Sequence, residues 1–391
     1  MVVERRALQG DSLSLTRTTP RAVDKSTPGI LGSVDFTLLF VMLALSGFGI
    51  FAVYIAGVEQ GRELAISQGM GFIAGVIGAI PLAIINYRFW QRHLRWIYIA
   101  VVLMLVAVIL TGAAAGGAQR WIDIGPVKVQ PSEFAKLGIV VVLAGYLADR
   151  HVGDGLVLIK SMAILALPAL LVFVQPDLGT ALVFAAVFVI MTFTAGARLW
   201  QLALLGLAAV IAGAVAVKFK VLEDYQMDRL TVFFDPENSG DVGYQVQQSQ
   251  TAIGSGGLTG KTVDATTLSN LGFLPENHTD FIFSNLGERL GFVGCGILLV
   301  LFFILIWRVL HIATISRDRF GVLLAVGVAT IFLFHVFVNV GMTMGIMPVT
   351  GIPLPFISYG RSSLVVSVIS LGLLQSVAMR ARSEAARQQF P

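Results

Sequence analysis

The strongest constraint on this chain is a series of ten apolar runs, each long enough to cross a lipid bilayer. A crossing needs about 20 mostly apolar residues, because the hydrocarbon core is about 30 Å thick. Since lipid offers no partner to an open strand edge, such runs must form helices. We therefore predict an all-α membrane protein with about ten transmembrane helices, at 34–56, 66–86, 94–114, 131–148, 156–175, 178–196, 199–218, 280–307, 320–346 and 357–379.

The composition agrees with a chain that lies mostly in lipid. It is 56% hydrophobic and 13% charged, whereas a soluble domain carries roughly 25% charged residues. This excludes a soluble fold with a single anchor. Cys295 is the only cysteine, so an intramolecular disulfide is excluded and the redox compartment stays open.

Polar segments divide the chain into a membrane domain and two tails. Residues 1–32 are polar and lack the apolar centre of a signal peptide, which predicts a disordered cytoplasmic tail before the membrane domain at 33–380. Residues 381–391 are predicted as a cytoplasmic C-terminal tail. With both termini in the cytoplasm, the cytoplasmic segments hold 17 of the 27 Lys and Arg residues, as the positive-inside rule expects. The net charge of +4 thus reports orientation, and nucleic acid is not a predicted partner.

One long extracytoplasmic loop, at about 219–279, separates the seventh and eighth helices. A loop of this length is uncommon without a function. Residues 244–253 predict a short amphipathic helix lying on the membrane. The glycine-rich residues 254–261 lack both the spacing and the preceding strand of a phosphate-binding P-loop. We expect a flexible hinge there, or a backbone surface near a lipid phosphate.

A titratable cluster stands where this loop enters the eighth helix: Glu276, His278 and Asp280. Ionisable groups at membrane depth usually line a functional cavity. Asp280 is either an anion that favours the helix start or a general base, which must reach the proton it removes. Glu276 and His278 suggest metal ligation, but no second cluster completes a site, so no metal ligand is predicted. A divalent cation, Mg²⁺ or Mn²⁺, held loosely beside phosphates stays open.

Two helix starts and one irregular segment carry further polar groups. Glu133 falls in the first turn of the fourth helix, and Lys136 follows on the same face. They form either a buried structural ion pair or part of a polar cavity in which Lys136 holds an anionic substrate. Asp177 repeats the pattern at the sixth helix, where it is a helix-start anion or a cavity residue. Three prolines within 339–363 predict a break between two helices that is either structural or part of the site wall.

Four sequence blocks together resemble the SEDS family (shape, elongation, division and sporulation). They are 120–125 with 130–136, then 175–180, 274–283 and 348–360. The likeness covers nearly all of 33–380, in the same order and on the same helices. His-Thr-Asp at 278–280 and Val-Thr-Gly-Ile-Pro at 349–353 look like the RodA elongation branch.

The resemblance implies a peptidoglycan glycosyltransferase that polymerises lipid II into glycan strands during cell elongation. It would act at the outer face of the bacterial cytoplasmic membrane, release undecaprenyl pyrophosphate and work with a class B penicillin-binding protein. By position, Asp280 matches the family's essential acidic residue, while Arg120, Glu133 and Lys136 match polar cavity residues. We take Asp280 as catalytic, and as candidate substrate contacts Arg120, Glu133, Lys136, Asp177, His278 and Arg361.

Two arginines depart from the family pattern, and two other functional classes stay open. Arg361 stands where the family usually has Gly, and Arg289 where a second Glu is typical, so both are expected to add positive charge near the cavity. The alternatives are a lipid II flippase and a non-catalytic scaffold, and within the family a division or sporulation polymerase. No convincing repeat relates the two halves of the chain, which disfavours a secondary transporter.

Overall fold

The computed structural model describes residues 33–57, 60–115, 118–125, 127–150, 152–219, 224–234, 240–261 and 278–389. The predicted tail at 1–32 and Glu276 lie outside this part of the chain. The described residues form helices α1 Phe36–Ala56, α2 Gly61–Ile84, α3 Tyr87–Arg92, α4 Leu94–Thr111, α5 Pro131–Ala148, α6 Gly155–Val174, α7 Leu178–Thr194, α8 Leu199–Lys218, α9 Asp224–Phe234, α10 Gly240–Ser255, α11 Ile282–Ile315, α12 Arg319–Thr343 and α13 Arg361–Gln389.

Each of the ten predicted runs is a helix, so the prediction of an all-α multi-pass membrane protein is confirmed. Among the described residues, nine helices are long and apolar enough to cross a membrane, and α7 is apolar with 17 residues. Aspartates set several helix starts, because the carboxylates of Asp35, Asp154, Asp177 and Asp318 accept hydrogen bonds from first-turn N–H groups. At the other limit α13 runs ten residues beyond the predicted end at 379.

The connection between α4 and α5 contains strands that the sequence did not predict. Strands β1 Ala113–Ala115, β2 Ala118–Ile124 and β3 Val127–Val129 form an antiparallel sheet in the order β1-β2-β3. Gly125, between β2 and β3, has a φ of 61°, a left-handed conformation that glycine adopts without strain. The sheet lies next to the start of α5, and we call this end of the bundle the site end because Asp280 also lies there.

Helices α5, α12 and α13 build the centre of the bundle. In each of them, 72 to 78% of the apolar, membrane-length stretch is buried. α2 packs closely along α13, where Gly71 and Gly75 leave room for the backbone of Arg361 and Val365. Small residues permit such close approach between membrane helices. α8 is the opposite case, because only 6% of its window is buried.

Charged side chains join the helices at the opposite end of the bundle. Asp35 is fully buried and accepts hydrogen bonds from Arg308 and Arg382. Burial alone would raise the pKa of Asp35, but these hydrogen bonds and charges, with the Leu38 amide, outweigh it and lower that pKa. Asp318 likewise accepts from Tyr87 and Arg88, which links α3 to the start of α12.

Candidate active site

Asp280 lies on a short irregular segment that a second irregular segment straps in place. The Asn339 side-chain amide donates to the carbonyls of both Asp280 and Ile352, at 3.0 and 2.8 Å. Ser358 Oγ donates to Thr279 O at 2.7 Å, and Tyr359 N donates to His278 O at 2.9 Å. Residues 278–280 are thus held against residues 349–359, and we call these two segments together the Asp280 strap. The predicted break between α12 and α13 forms a wall of the site.

The Asp280 carboxylate faces a side chain that sequence analysis did not single out. A Cβ atom built on Gly351 would lie 3.3 Å from Asp280 Oδ2 and 2.7 Å from Arg229 Nη1. Arg229 comes from α9 in the long loop. The carboxylate and the guanidinium therefore lie near each other, beside the Cα atom of Gly351 where a side chain would otherwise stand. No local pattern marks Arg229, because the two residues are 51 positions apart and meet only through the fold.

A cavity of about 300 Å³ opens beside this strap. It is lined by Trp121, Lys128, His278, Thr279, Tyr359, Gly360 and Arg361. Two of these side chains are cations and two are large aromatic residues. Such a lining can bind an anionic group through charge-assisted hydrogen bonds and an apolar sugar face through the rings. Two of the predicted substrate contacts, Arg361 and His278, line this cavity, and so do Lys128, Trp121 and Tyr359, which were not predicted as site residues.

The cavity wall is assembled from three distant parts of the chain. Ser362 Oγ accepts a hydrogen bond from Gln130 N at 3.0 Å, which ties the β3–α5 junction to the start of α13. Gln68 of α2 donates to Ser358 O at 3.0 Å and accepts from Gly360 N at 3.2 Å. These bonds bring Lys128 and Arg361 to the same cavity.

Glu133 and Lys136 form a buried pair one layer below. Lys136 Nζ donates to Glu133 Oε1 at 2.8 Å, and the side chains are 3% and 5% exposed. Lys136 Nζ also lies 3.1 Å from His335 Nε2, and His335 Nδ1 lies 2.9 Å from Pro353 O. Because a carbonyl only accepts, Nδ1 carries the proton and Nε2 accepts from Lys136. The structural ion pair is realised, and neither residue is among those that line the 300 Å³ cavity.

Arg120 and Asp177 organise the turn between α6 and α7. Asp177 accepts from Thr180 N at 3.1 Å and from Ser132 Oγ at 3.2 Å, so it caps α7 and links it to α5. Arg120 donates to the carbonyls of Gln175 and Pro176 in that turn. The turn packs against the Asp280 strap, because Gly179 lies close to Thr350 O and Ile352. Both predicted substrate contacts are therefore near the site, in positions that support its backbone.

The glycine-rich residues 254–261 are packed into α11, and the expected flexible hinge is wrong. At Gly291, where φ is 63°, α11 is interrupted. Phe292 N and Val293 N donate to the carbonyls of Gly257 and Leu258 there, at 2.9 and 3.1 Å. The preceding residues form the predicted helix α10, whose buried face packs on α11. Glycine is needed because a Cβ on Gly260 would overlap Arg289 O.

The two departing arginines have different surroundings. Arg361 lines the cavity and packs its stem against Gly71. Arg289 is only 4% exposed, at the α11 interruption next to Glu288, which pairs with Lys261 at 3.1 Å. The expectation that Arg289 adds charge near the cavity is not met, because it does not line the cavity.

The described residues contain no group of three His, Cys, Asp or Glu side chains that could hold a metal ion. His278 and Asp280 are close in sequence, but two ligands do not make a tight site.

The structure thus places an acidic residue beside a cationic cavity in a multi-pass helical bundle, and ionisable groups at membrane depth usually mark a functional site. Residues 34–383 match the model of the cell cycle protein family FtsW/RodA/SpoVE. The chain belongs to this family, as its sequence motifs predicted.

Similar curated proteins and solved structures agree with this family assignment. The chain is 39% identical over 356 residues to the peptidoglycan glycosyltransferase MrdB of Escherichia coli K12, covering 88% of this chain and 93% of that protein. It is 35% identical over 365 residues to a probable peptidoglycan glycosyltransferase FtsW of Trichlorobacter lovleyi, covering 90% and 94%.

Among solved structures, the chain resembles one chain of a peptidoglycan synthase complex that coordinates polymerization and crosslinking. That likeness has a TM-score of 0.75 and 31% identity, and it covers 89% of this chain and 98% of the other. The chain also resembles the rod shape determining protein RodA of Thermus thermophilus, with a TM-score of 0.68 and 29% identity, covering 88% and 96%.

Proposed function

We propose that this protein is a peptidoglycan glycosyltransferase that polymerises lipid II into glycan strands during cell elongation. The observation that carries the proposal is the Asp280 strap beside a cavity lined by Lys128 and Arg361. Relatives that align over nearly their whole length are named for this activity. The elongation role follows the RodA-like motifs at 278–280 and 349–353.

In the proposed reaction Asp280 acts as the general base. The 4-hydroxyl of the acceptor GlcNAc loses its proton to the Asp280 carboxylate, and its oxygen attacks the anomeric carbon of the donor MurNAc. The new glycosidic bond forms as the bond to the diphosphate breaks, so undecaprenyl pyrophosphate leaves with the bonding electrons. A single displacement inverts the α linkage to β. A positioned base typically contributes about 10²–10⁴-fold to such a step.

We assign the leaving diphosphate to Lys128 and Arg361. They line the cavity, whereas Arg120 is held by backbone carbonyls and Lys136 is buried against Glu133. Cations placed where charge develops stabilise the transition state by several kcal/mol. Trp121 and Tyr359 offer ring faces to the sugars. A divalent cation would add positive charge at the same phosphates, and the proposed proton transfer does not depend on it.

The proposal includes a location and a partner. The site end would face the outside of the bacterial cytoplasmic membrane, and both termini would lie in the cytoplasm, in keeping with the excess of Lys and Arg on that side. The partner would be a class B penicillin-binding protein. The similarity to a chain of a complex that couples polymerization to crosslinking supports this choice.

The test is polymerisation of labelled lipid II by the purified protein, alone and with its class B partner. Wild type should give glycan ladders and Asp280→Asn none, with unchanged thermal unfolding. Asp123→Asn is the matched control, because Asp123 is an exposed carboxylate on β2 at the same end, and it should polymerise like wild type. Ladders from Asp280→Asn would refute the base assignment. No ladders from wild type with its partner, while lipid II still crosses reconstituted bilayers, would favour the flippase.

A further inference from the structure

We propose that Arg229 is a positioning residue for Asp280, reaching from α9 into the space beside Gly351 to orient the carboxylate and keep it ionised. The inference rests on the proposed role of Asp280 as the base. It adds a residue from the long loop, which the motifs of the sequence did not connect with the chemistry.

Gly351 makes the approach of Arg229 to Asp280 geometrically feasible. Its φ is 70°, a conformation that side-chain-bearing residues rarely adopt. Its missing Cβ also leaves space that the two charged groups share, since that atom would lie 2.7 Å from Arg229 Nη1 and 3.3 Å from Asp280 Oδ2. Because both atoms lie close to this one point, they are at most about 6 Å apart, which is within the range where an opposite charge lowers the pKa of a carboxyl group.

A small apolar cluster holds α9 in this position. It consists of Val232, Val246, Ala252, Phe281, Met342 and Val349. Phe281 directly follows Asp280, and Val349 lies two residues before Gly351. The cluster therefore joins α9 and α10 to both sides of the Asp280 strap. Gln226 is 2% exposed and lies three residues before Arg229, so this face of α9 points into the protein.

The other charged and titratable groups near Asp280 lie on the strap, in the cavity lining or in a buried layer, whereas Arg229 comes from α9. His278 and Tyr359 lie on the strap, and Lys128 and Arg361 line the cavity, where a diphosphate would engage them. Glu133, Lys136 and His335 form the buried layer below. Arg229 approaches Asp280 from α9 of the long loop, in the space beside Gly351. It would hold Asp280 as an anion before the acceptor arrives, and a base must be unprotonated to accept a proton.

A structural role and a positioning role predict different results. If Arg229 only anchored α9, its loss would lower activity equally at every pH. If Arg229 keeps Asp280 ionised, its loss makes Asp280 easier to protonate. As the pH is lowered, the variant should therefore lose activity at a higher pH than wild type does. An opposite charge within about 4–6 Å favours the ionised form by about 1–3 pH units.

The experiment is the pH profile of labelled lipid II polymerisation by the full chain with its class B partner, for wild type, Arg229→Gln and Arg229→Lys. Lys218→Gln is the matched control, because it removes an exposed cation at the end of α8, just before the same loop. Thermal unfolding of each variant verifies that the bundle is intact.

We expect the acid-side midpoint of Arg229→Gln to move up by about 1 pH unit or more, and its rate at pH 7.5 to fall about 10- to 100-fold as the carboxylate loses its orientation. Arg229→Lys should have a midpoint close to that of wild type and should restore part of the rate. The midpoint of Lys218→Gln should stay in place. An unshifted acid-side midpoint in Arg229→Gln would overturn the inference, whatever the reaction rate of that variant. A midpoint shift that Arg229→Lys fails to reduce would overturn it too. Activity in Asp280→Asn would instead refute the underlying base assignment, which separates the two failures.

Discussion

Removal of Glu133 alone should destabilise the protein more than removal of Glu133 and Lys136 together. The two side chains are 5% and 3% exposed, and their charged atoms are 2.8 Å apart. A buried charge that loses its partner costs about 3–5 kcal/mol, whereas replacing both charges by neutral groups of similar volume is often close to neutral. The pair therefore offers a double-mutant cycle with a large coupling energy.

The magnitudes follow from the contacts. Glu133→Gln should lower the free energy of unfolding by about 3 kcal/mol or more, because among the described residues Lys136 then keeps only His335 Nε2 as a partner. Lys136→Met should cost at least as much. The double variant should cost about 1–2 kcal/mol, since only the His335 acceptor is left without its donor.

Cys295 provides the assay. It is the only cysteine and is buried, so a thiol-reactive fluorophore reports its exposure during thermal or denaturant unfolding. Glu384→Gln is the control, because its ion pair with Arg88 spans 3.5 Å between side chains that are 37% and 40% exposed, and such pairs contribute below about 1 kcal/mol. A double variant as unstable as the sum of the single variants would refute the reasoning, as would Glu133→Gln matching Glu384→Gln.

Three further predictions use other parts of the fold. Burial raises the pKa of Asp318, but its hydrogen bonds and the charge of Arg88 outweigh burial and lower that pKa below 3.8. The ionised Asp318 therefore stabilises the fold above that pH, and this stabilisation is lost as pH falls through the folded pKa. Asp318→Asn should unfold at a lower temperature than wild type at pH 7, and a difference in unfolding temperature that did not shrink below pH 3.8 would contradict this. Gly291→Ala should destabilise by about 1–3 kcal/mol because φ is 63°, while Gly296→Ala on the same helix, with open space around it, should not, as measured by Cys295 labelling. Arg361→Gln should raise the KM for lipid II about tenfold by removing a charged hydrogen bond to phosphate, and an unchanged KM in polymerisation assays would count against that contact.

The membrane helices could be predicted from the sequence because their signal is local. An apolar run of about 20 residues has one solution in lipid, and Asp35, Asp154, Asp177 and Asp318 mark helix starts without knowledge of tertiary contacts. The break before α13 was also visible, since Pro353 and Pro355 interrupt the helical pattern.

The rest of the site depends on contacts between distant segments. Lys128 lines the cavity because Ser362 ties β3 to α13, and Arg229 meets Asp280 only because Gly351 leaves room. Strands β1 and β3 have three residues each, which is shorter than the about four to eight residues over which alternation predicts a strand. The interruption of α11 involves glycines on two segments, and no single window contains both.

The weak packing of α8 makes bilayer thickness a variable that acts on this protein. With 6% of its membrane window buried, α8 takes its tilt from the surrounding lipid, and helices adjust tilt to hydrophobic mismatch. Only residues 219–223 separate α8 from α9, the helix that carries Arg229. We therefore predict that acyl-chain length acts on the loop beside Asp280, and that vesicles of graded chain length change the polymerisation rate more than they change the stability of the central helices.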